Sequence, residues 1–185
     1  MQPFRFESRP LTPLLLPLLM LSLLLPLLMA VPVRALCDEP AVLEISKDTV
    51  LDPARTYGRI VIKASNITID GRGAWLIGER DGNSKDFSGT AVLAENVSGV
   101  KLIHINAKGW ETGLVVRDGS RWTVEACNLS DNFHDPSFGW GENGRRGGMV
   151  FERVSDSLVH GCQANRVWDA CVLVDCHNNR LEDRE

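Results

Sequence analysis

A repeat of 22 residues constrains the fold of this chain more than any other feature, because two sets of apolar residues keep the same spacing of 22, 35 and 22 positions. The two sets are Leu102, Val124, Val159 and Leu181, and Val92, Leu114, Met149 and Cys171. The shared step of 35 predicts one insertion of 13 residues within Phe133–Arg145. A step of 33 from Ile69 to Leu102 predicts a second, of 11 residues, within Gly78–Phe87. A period in this range is typical of a solenoid, in which each unit buries its apolar face by stacking on the next.

The apolar runs within each repeat predict short parallel strands. Leu114–Val116, Met149–Phe151 and Cys171–Val174 are each about four residues long, and Asn, Asp, Gly and Ser separate them. Continuous apolar runs of this kind are typical of parallel strands that are buried on both faces. Three amide residues share one phase of the repeat and predict a stacked ladder at a corner of the chain, namely Asn106, Asn128 and Gln163.

Short strands with amide ladders resemble the right-handed parallel β-helix of the pectate-lyase-like superfamily, and the stretch Val154–Glu185 resembles the repeats of NosD-type secreted β-helix proteins. The resemblance covers roughly Ser65 to the end of the chain. It implies an all-β fold, a right-handed parallel β-helix with about 22 residues per coil. It implies no particular activity, because this fold carries many functions. The Gly-His-Gly signature and paired aspartates of the polygalacturonase branch are absent from the sequence, so no catalytic residue is transferred from the family.

The chain divides into three predicted segments. Residues 1–35 have the pattern of a signal peptide, with two arginines before a Leu-rich run and a small residue, Ala35, at the predicted cleavage site. An uncleaved membrane anchor is the alternative, because the apolar run approaches the ~20 residues that a span needs. Residues 36–64 are expected to form a lead-in or N-terminal cap, and residues 65–185 an incomplete β-helix, because Arg180–Glu182 begins another strand just before the chain stops. The predicted location is therefore periplasmic or secreted, at the cell envelope.

The charge of the chain argues against a nucleic-acid partner. The formal net charge is −4, and removal of residues 1–35 makes it −6. Proteins that bind nucleic acid usually carry a basic patch, and the sequence contains no basic stripe interleaved with aromatic residues.

Five cysteines remain after the predicted cleavage. Cys127 and Cys162 occupy equivalent positions of the repeat, so they are expected on adjacent coils about 4.8 Å apart. That spacing lies within the Cα range of a disulfide. Small apolar residues also fill such columns, so the pattern is compatible with either two buried free thiols or a bridge.

The 13-residue insertion is the predicted functional site, because loops held by a rigid scaffold often carry function. The repeat also brings two tryptophans and their acidic neighbours beside this loop. The residues expected to converge are Trp110, Glu111, Asp131, His134, Asp135, Trp140, Glu142, Arg145, Arg146, Trp168 and Asp169. Aromatic faces surrounded by charged groups suit a sugar chain. The sequence thus predicts polysaccharide as the ligand, with Trp110, Trp140, Trp168 and Asp169 as binding residues.

Two reaction types fit the residues of this loop. In a polysaccharide lyase or epimerase, His134 is the candidate base and Arg145 or Arg146 neutralises a uronate carboxylate. Ca²⁺ is a possible cofactor for the same reaction, and its candidate ligands are Asp131, Asp135 and Glu142. In a glycosidase, Asp135 and Glu142 are the candidate acid and partner carboxylate. A purely structural reading is equally open, in which these charged groups pair with one another and hold the loop down.

Three functions therefore remain open at the level of sequence. The first is an enzyme acting on polysaccharide, of the lyase, epimerase or hydrolase kind. The second is a non-catalytic envelope protein that binds glycan or protein. The third, from the NosD resemblance, is an accessory to copper-centre assembly. A stripe of four aliphatic residues that alternate with the inward columns is also expected to face outward and to bind a partner chain; these are Leu93, Val115, Val150 and Val172.

Overall fold

The computed structural model describes residues 41–79, 81–135, 137 and 146–183, and within these ranges the protein is all-β apart from one short 3-10 helix at Ser84–Asp86. The strands are β1 (Leu43–Ile45), β2 (Thr49–Val50), β3 (Thr56–Tyr57), β4 (Ile60–Ile62), β5 (Thr68–Asp70), β6 (Trp75–Ile77), β7 (Thr90–Glu95), β8 (Lys101–Ile103), β9 (Asn106–Lys108), β10 (Thr112–Ser120), β11 (Thr123–Glu125), β12 (Gly147–Ser155), β13 (Leu158–His160), β14 (Asp169–Val174) and β15 (Arg180–Glu182). In the same ranges, no helix is long and apolar enough to cross a membrane.

All strand pairs are parallel, and the strands form three sheets. Sheet A has the order β1-β4-β7-β10-β12-β14, sheet B has the order β15-β13-β11-β8-β5-β2, and sheet C has the order β3-β6-β9. Strands that follow one another in the chain belong to different sheets, and each sheet collects strands from successive repeats. This arrangement agrees with the predicted all-β class and is compatible with a β-solenoid.

The register of the strands confirms the pairings that the repeat predicts. Val124 pairs with Leu102 on one side and with Val159 on the other. The second set behaves in the same way, because Leu114 pairs with Val92 and with Met149. Strands on either side of the 13-residue insertion are therefore direct neighbours, and the insertion leaves the register of the sheets unchanged.

The segment expected as a lead-in contributes strands to the same sheets. Leu43 of β1 pairs with Ile60 of β4, and Ile60 pairs in turn with Val92 of β7. Residues 43–62 therefore pair in register with the rest of sheets A, B and C.

The hydrophobic core lies between the sheets and is built from columns of equivalent residues. Ile62, Ala94, Val116 and Phe151 are consecutive partners in sheet A, and all four are buried. Full burial of an aliphatic or aromatic side chain of this size contributes roughly 1.5–3 kcal/mol, so the stack of columns is the main source of stability.

The corners between strands carry polar residues and left-handed backbone. The backbone ladder predicted for the amide residues is confirmed, because Asn128 pairs with Asn106 and with Gln163. The side chains also bond to the backbone: the Asn106 amide donates to the carbonyl of Gly73 at 2.8 Å, and the Asn128 carbonyl oxygen accepts from the N–H of Ser130 at 3.1 Å. These bonds satisfy backbone groups where the chain turns.

The aliphatic stripe is less exposed than the alternation of residues predicts. Val115 and Val150 lie outside the main core cluster, as expected, yet only 5% and 4% of their surfaces are exposed. Leu93 and Val172 are partly buried. The centre of the stripe is thus already covered within the chain, and it offers little apolar surface for a partner.

Candidate functional site

The repeat continues into the base of the 13-residue insertion. The backbone N–H of Phe133 donates to the carbonyl of Trp110 at 2.9 Å, and the N–H of Trp168 donates to the carbonyl of Phe133 at 2.8 Å. Trp110 and Trp168 therefore flank the first residue of the insertion, as the register predicts.

Trp110 belongs to the hydrophobic core and not to the surface. Its side chain is only 6% exposed, and its indole N–H donates to the carbonyl of Leu76 at 3.2 Å. The backbone N–H of Trp110 donates to the Oδ1 atom of the buried Asn132 at 3.1 Å. The expected role of Trp110 as a stacking surface for a sugar is therefore not met, because the indole face is packed inside the protein.

Arg146 fixes the point where the insertion rejoins sheet A. Its Nε atom lies 2.7 Å from a carboxylate oxygen of Glu111, and its guanidinium lies 5.1 Å from the centre of the Phe133 ring. The backbone carbonyl of Arg146 accepts from the N–H of Asp169 at 3.2 Å. Burial raises the pKa of the Asp169 carboxyl above its usual value. The predicted group of Glu111, Arg146 and Asp169 is thus assembled, and the arginine already has a carboxylate partner.

His134 and Asp135 lie against the segment that contains the 3-10 helix. The Ser84 hydroxyl donates to the carbonyl of His134 at 2.6 Å. The Asp135 carboxylate accepts from both the hydroxyl and the N–H of Ser137, at 2.6 and 2.9 Å, and these bonds lower its pKa. A glycosidase acid needs a raised pKa, so the environment of Asp135 favours a turn-forming role over an acid role.

Asp131 forms a bidentate ion pair with Arg166 of the neighbouring coil. One of the two contacts joins the Nη2 atom of Arg166 to Oδ2 at 2.7 Å, and the hydrogen bond from Arg166 is the main reason that the pKa of Asp131 is lowered. Within the described ranges, no group of three or more His, Cys, Asp or Glu residues is arranged to hold a metal ion. Trp140, Glu142 and Arg145 lie outside the described residues. Their roles, and the Ca²⁺ site that includes Glu142, remain predictions.

Sequence reasoning missed the outer face of sheet C. Leu76 and Ala107 point into the core and are fully buried, so Trp75 and Lys108 project from the opposite face. The Nζ atom of Lys108 lies 4.9 Å from the centre of the Trp75 ring. Trp75 is partly exposed and Lys108 is exposed, so this face presents an aromatic plate and a cation to solvent.

One groove lies at the end of strands β6 and β9. It has a volume of about 430 Å³ and is lined by Ile77, Glu79, Phe87, Lys108, Gly109 and Asp131. The lining combines two apolar side chains with carboxylates and an ammonium group. Such a mixture of apolar surface and a few polar groups is typical of sites for small molecules and sugars.

A second groove lies at the start of the same two strands. It has a volume of about 500 Å³ and is lined by Asp70, Arg72, Gly73, His104, Asn106 and Ala126. The Nδ1 atom of His104 lies 3.1 Å from Oδ1 of Asp70, which also accepts from the backbone N–H of Arg72 at 2.9 Å. The bond from Arg72 is the main reason that the pKa of Asp70 is lowered. The sequence predicted only that His104 faces a corner or solvent, and its carboxylate partner is 34 positions away.

The two grooves therefore flank one face. Trp75 pairs with Asn106, which lines the second groove, and Ile77 pairs with Lys108, and both line the first. The outer face of sheet C together with the grooves at its two ends is called the sheet C face below. The chain matches no protein-family model, no curated protein and no solved structure.

Proposed function

We propose that this protein is a right-handed parallel β-helix with about 22 residues per coil, exported to the periplasm or secreted, and that it binds polysaccharide on the sheet C face. The parallel register of the three sheets supports the fold. Right-handedness follows from the strong preference of parallel crossover connections for that hand. The signal-peptide pattern of residues 1–35 supports export.

The observation that carries the proposal is the partly exposed Trp75 with the Lys108 ammonium over its ring. An indole offers a flat apolar surface, and the apolar face of a sugar ring stacks on such a surface while its hydroxyls remain available for hydrogen bonds. Glu79, Lys108 and Asp131 supply the charged partners for those hydroxyls at one end of the face.

The rigidity of the sheet supports the same conclusion. Trp75, Asn106 and Lys108 stand on strands that pair with each other, so their spacing is set by the sheet and not by a loop. A rigid site loses little conformational entropy when a ligand binds. The three-residue strands span about 10 Å, and the two grooves extend the face beyond both strand ends.

Binding to a panel of neutral and acidic polysaccharides, measured by calorimetry or affinity electrophoresis, tests the proposal. The Trp75→Ala variant is expected to lose most of the affinity that the wild type shows. Trp168→Ala is the matched control, because Trp168 belongs to the site predicted at the insertion. Loss of binding in Trp168→Ala with full retention in Trp75→Ala would move the ligand to the insertion, and no binding of any polymer by the wild type would overturn the proposal.

A second candidate function is turnover of the bound polysaccharide at the His104–Asp70 pair. A histidine whose Nδ1 atom bonds to a carboxylate is held in one orientation, and its other nitrogen is then able to accept a proton as a general base. Arg72 stands in the same groove and has the charge to neutralise a substrate carboxylate. Incubation with uronate polymers, followed by the absorbance of unsaturated chain ends, tests this reaction. His104→Ala is expected to abolish the product, whereas His134→Ala is expected to leave it; the reverse pattern would return the base to the insertion.

A further inference from the structure

Two cysteines face each other across neighbouring coils of the core. The four described cysteines, Cys127, Cys162, Cys171 and Cys176, are free thiols. Cys127 and Cys162 lie between two fixed backbone pairs, because Glu125 pairs with His160 and Asn128 pairs with Gln163. Directly aligned residues of neighbouring parallel strands are about 4.8 Å apart, which lies within the Cα range of a disulfide.

The two side chains also point in the same direction. The Cys127 thiol lies 3.4 Å from the carbonyl oxygen of Glu125, and the Cys162 thiol lies 3.6 Å from that of His160. Each sulfur is therefore placed against the carbonyl two residues earlier, so the two thiols stack one above the other along the column. A disulfide between them needs only a rotation of the two side chains and no change in strand register.

We propose that Cys127 and Cys162 form a redox-active pair, which a small-molecule disulfide oxidises to a bridge between the coils on either side of the insertion. This inference depends on the register of sheet B and not on polysaccharide binding.

The surroundings of the two thiols set the order of the reaction. Cys162 is partly exposed and lines an open cavity of about 310 Å³, whereas Cys127 is only 1% exposed. The hydrogen bond from Cys127 lowers the pKa of Cys162 to about 7. The same bond, together with burial, raises the pKa of Cys127. Cys162 is therefore the nucleophile that meets the oxidant, since the thiolate is the reactive form of cysteine.

The chemistry balances as two exchange steps. The Cys162 thiolate attacks one sulfur of the small disulfide, whose S–S bond breaks and releases one small thiolate. The released thiolate takes up the proton of Cys127, and the Cys127 sulfur then attacks Sγ of Cys162 and releases the second small thiolate, which is protonated by solvent. Two protein thiols are oxidised and one small disulfide is reduced to two thiols.

Cys171 lines the same cavity but is a poor competitor. Burial raises its pKa to about 11, so it remains protonated at neutral pH. Its partner in the sheet is Met149, which leaves it without a cysteine in its own column. The register therefore selects Cys127 as the partner of Cys162.

Oxidation of the folded chain with oxidised glutathione tests the inference. Peptide mapping after alkylation under denaturing conditions is expected to show one Cys127–Cys162 linked peptide and an intact mass lower by two hydrogen atoms. The bridged form is expected to melt at a higher temperature, because the cross-link closes a long loop in the unfolded chain. In Cys127→Ser, the expected product is a stable glutathione adduct on Cys162, whereas Cys176→Ser is expected to form the bridge as the wild type does.

Three outcomes would overturn the inference, and the first two come from the wild type alone, so they remain decisive even where a variant fails to fold. One is alkylation of both Cys127 and Cys162 after oxidation, the second is a Cys162–Cys171 linkage, and the third is the absence of an adduct on Cys162 in folded Cys127→Ser.

Discussion

Lys108 covers one face of Trp75, with its ammonium nitrogen 4.9 Å from the centre of the indole ring, and both side chains stand on the outer face of a parallel sheet. An exposed cation–π contact contributes about 0.5–1 kcal/mol, which is small enough for a ligand to displace or to share. The pair therefore links the packing of sheet C to the proposed binding of sugar.

The first prediction concerns the charge of Lys108. Lys108→Gln removes the ammonium group and leaves Trp75 in place, so affinity for an acidic polysaccharide is expected to fall about fivefold, as for an exposed charge contact of about 1 kcal/mol. Affinity for a neutral polymer is expected to stay within about twofold, since the stacking surface is retained. Titration calorimetry at low and high salt measures both. An equal loss for neutral and acidic polymers would show that Lys108 does not act through its charge.

The second prediction concerns the ion pair between Asp131 and Arg166. The folded state lowers the pKa of Asp131, so the stabilisation is present above the unfolded value of about 3.9 and is lost as pH falls through the lower folded value. Asp131→Asn is therefore expected to be less stable than the wild type at pH 7 and equally stable once both forms are protonated, near pH 2. The effect is small because both side chains are largely exposed.

Urea denaturation of both forms across this pH range checks the second prediction. Asp48→Asn is a useful control, because it tests another acidic residue at a turn of the same protein without removing an ion pair. A difference between Asp131→Asn and the wild type that grows as pH falls would contradict the assigned sign.

The third prediction concerns the core columns. Phe151→Ala is expected to destabilise the protein by about 3–5 kcal/mol, because Phe151 is fully buried between Val116 and Leu173 and its removal leaves a cavity. Val50→Ala is the control, since 57% of Val50 is exposed, and its effect is expected to stay within about 0.5 kcal/mol. Equal effects of the two substitutions in urea denaturation would contradict the stacked-column core.

The fourth prediction concerns the residue at which the insertion rejoins sheet A. Gly147 has φ +120°, and a Cβ atom there would lie 2.7 Å from the backbone carbonyl oxygen of Asp169. Gly147→Ala is therefore expected to lower the melting temperature by several degrees, about what a loss of 1–3 kcal/mol produces in a domain of this size. At Gly82 the nearest atom to an added Cβ is the end of the flexible Glu79 side chain, so Gly82→Ala is expected to be nearly neutral. Similar melting temperatures for the two variants would contradict the close approach at Gly147.

The parallel architecture was predictable because the repeat is written in apolar residues. Val124 and Val159 are 35 positions apart, and the second set of residues shows the same step, so an insertion between neighbouring strands was the simplest explanation. The amide ladder at Asn106, Asn128 and Gln163 was predictable for a similar reason, since equivalent corners favour the same chemistry.

The sheet C face was not predictable in this way. Trp75 and Asn106 are direct neighbours, but an indole and an amide share no pattern that a repeat search detects. The His104–Asp70 pair was missed because it crosses the step of 33, where the register is interrupted. An available signal was the equivalence of Asp70 and Ile103, which places Asp70 beside the residue that precedes His104.

Side-chain direction was the other limit of the sequence. The repeat placed Trp110 correctly beside the insertion, yet it did not show that the indole turns into the core above Gly78. Likewise, alternation predicted that Val115 faces away from the core columns, but its burial depends on packing that no period encodes.

The tryptophan indole N–H signals of the isotope-labelled protein, recorded by NMR as an oligosaccharide of a bound polymer is added, test the central claim most directly. The account predicts that the Trp75 signal shifts progressively to saturation. The Trp110 and Trp122 signals are expected to stay in place, because those indoles are buried and bonded to backbone carbonyls. A titration in which the Trp168 signal shifts and the Trp75 signal does not would contradict binding on the sheet C face.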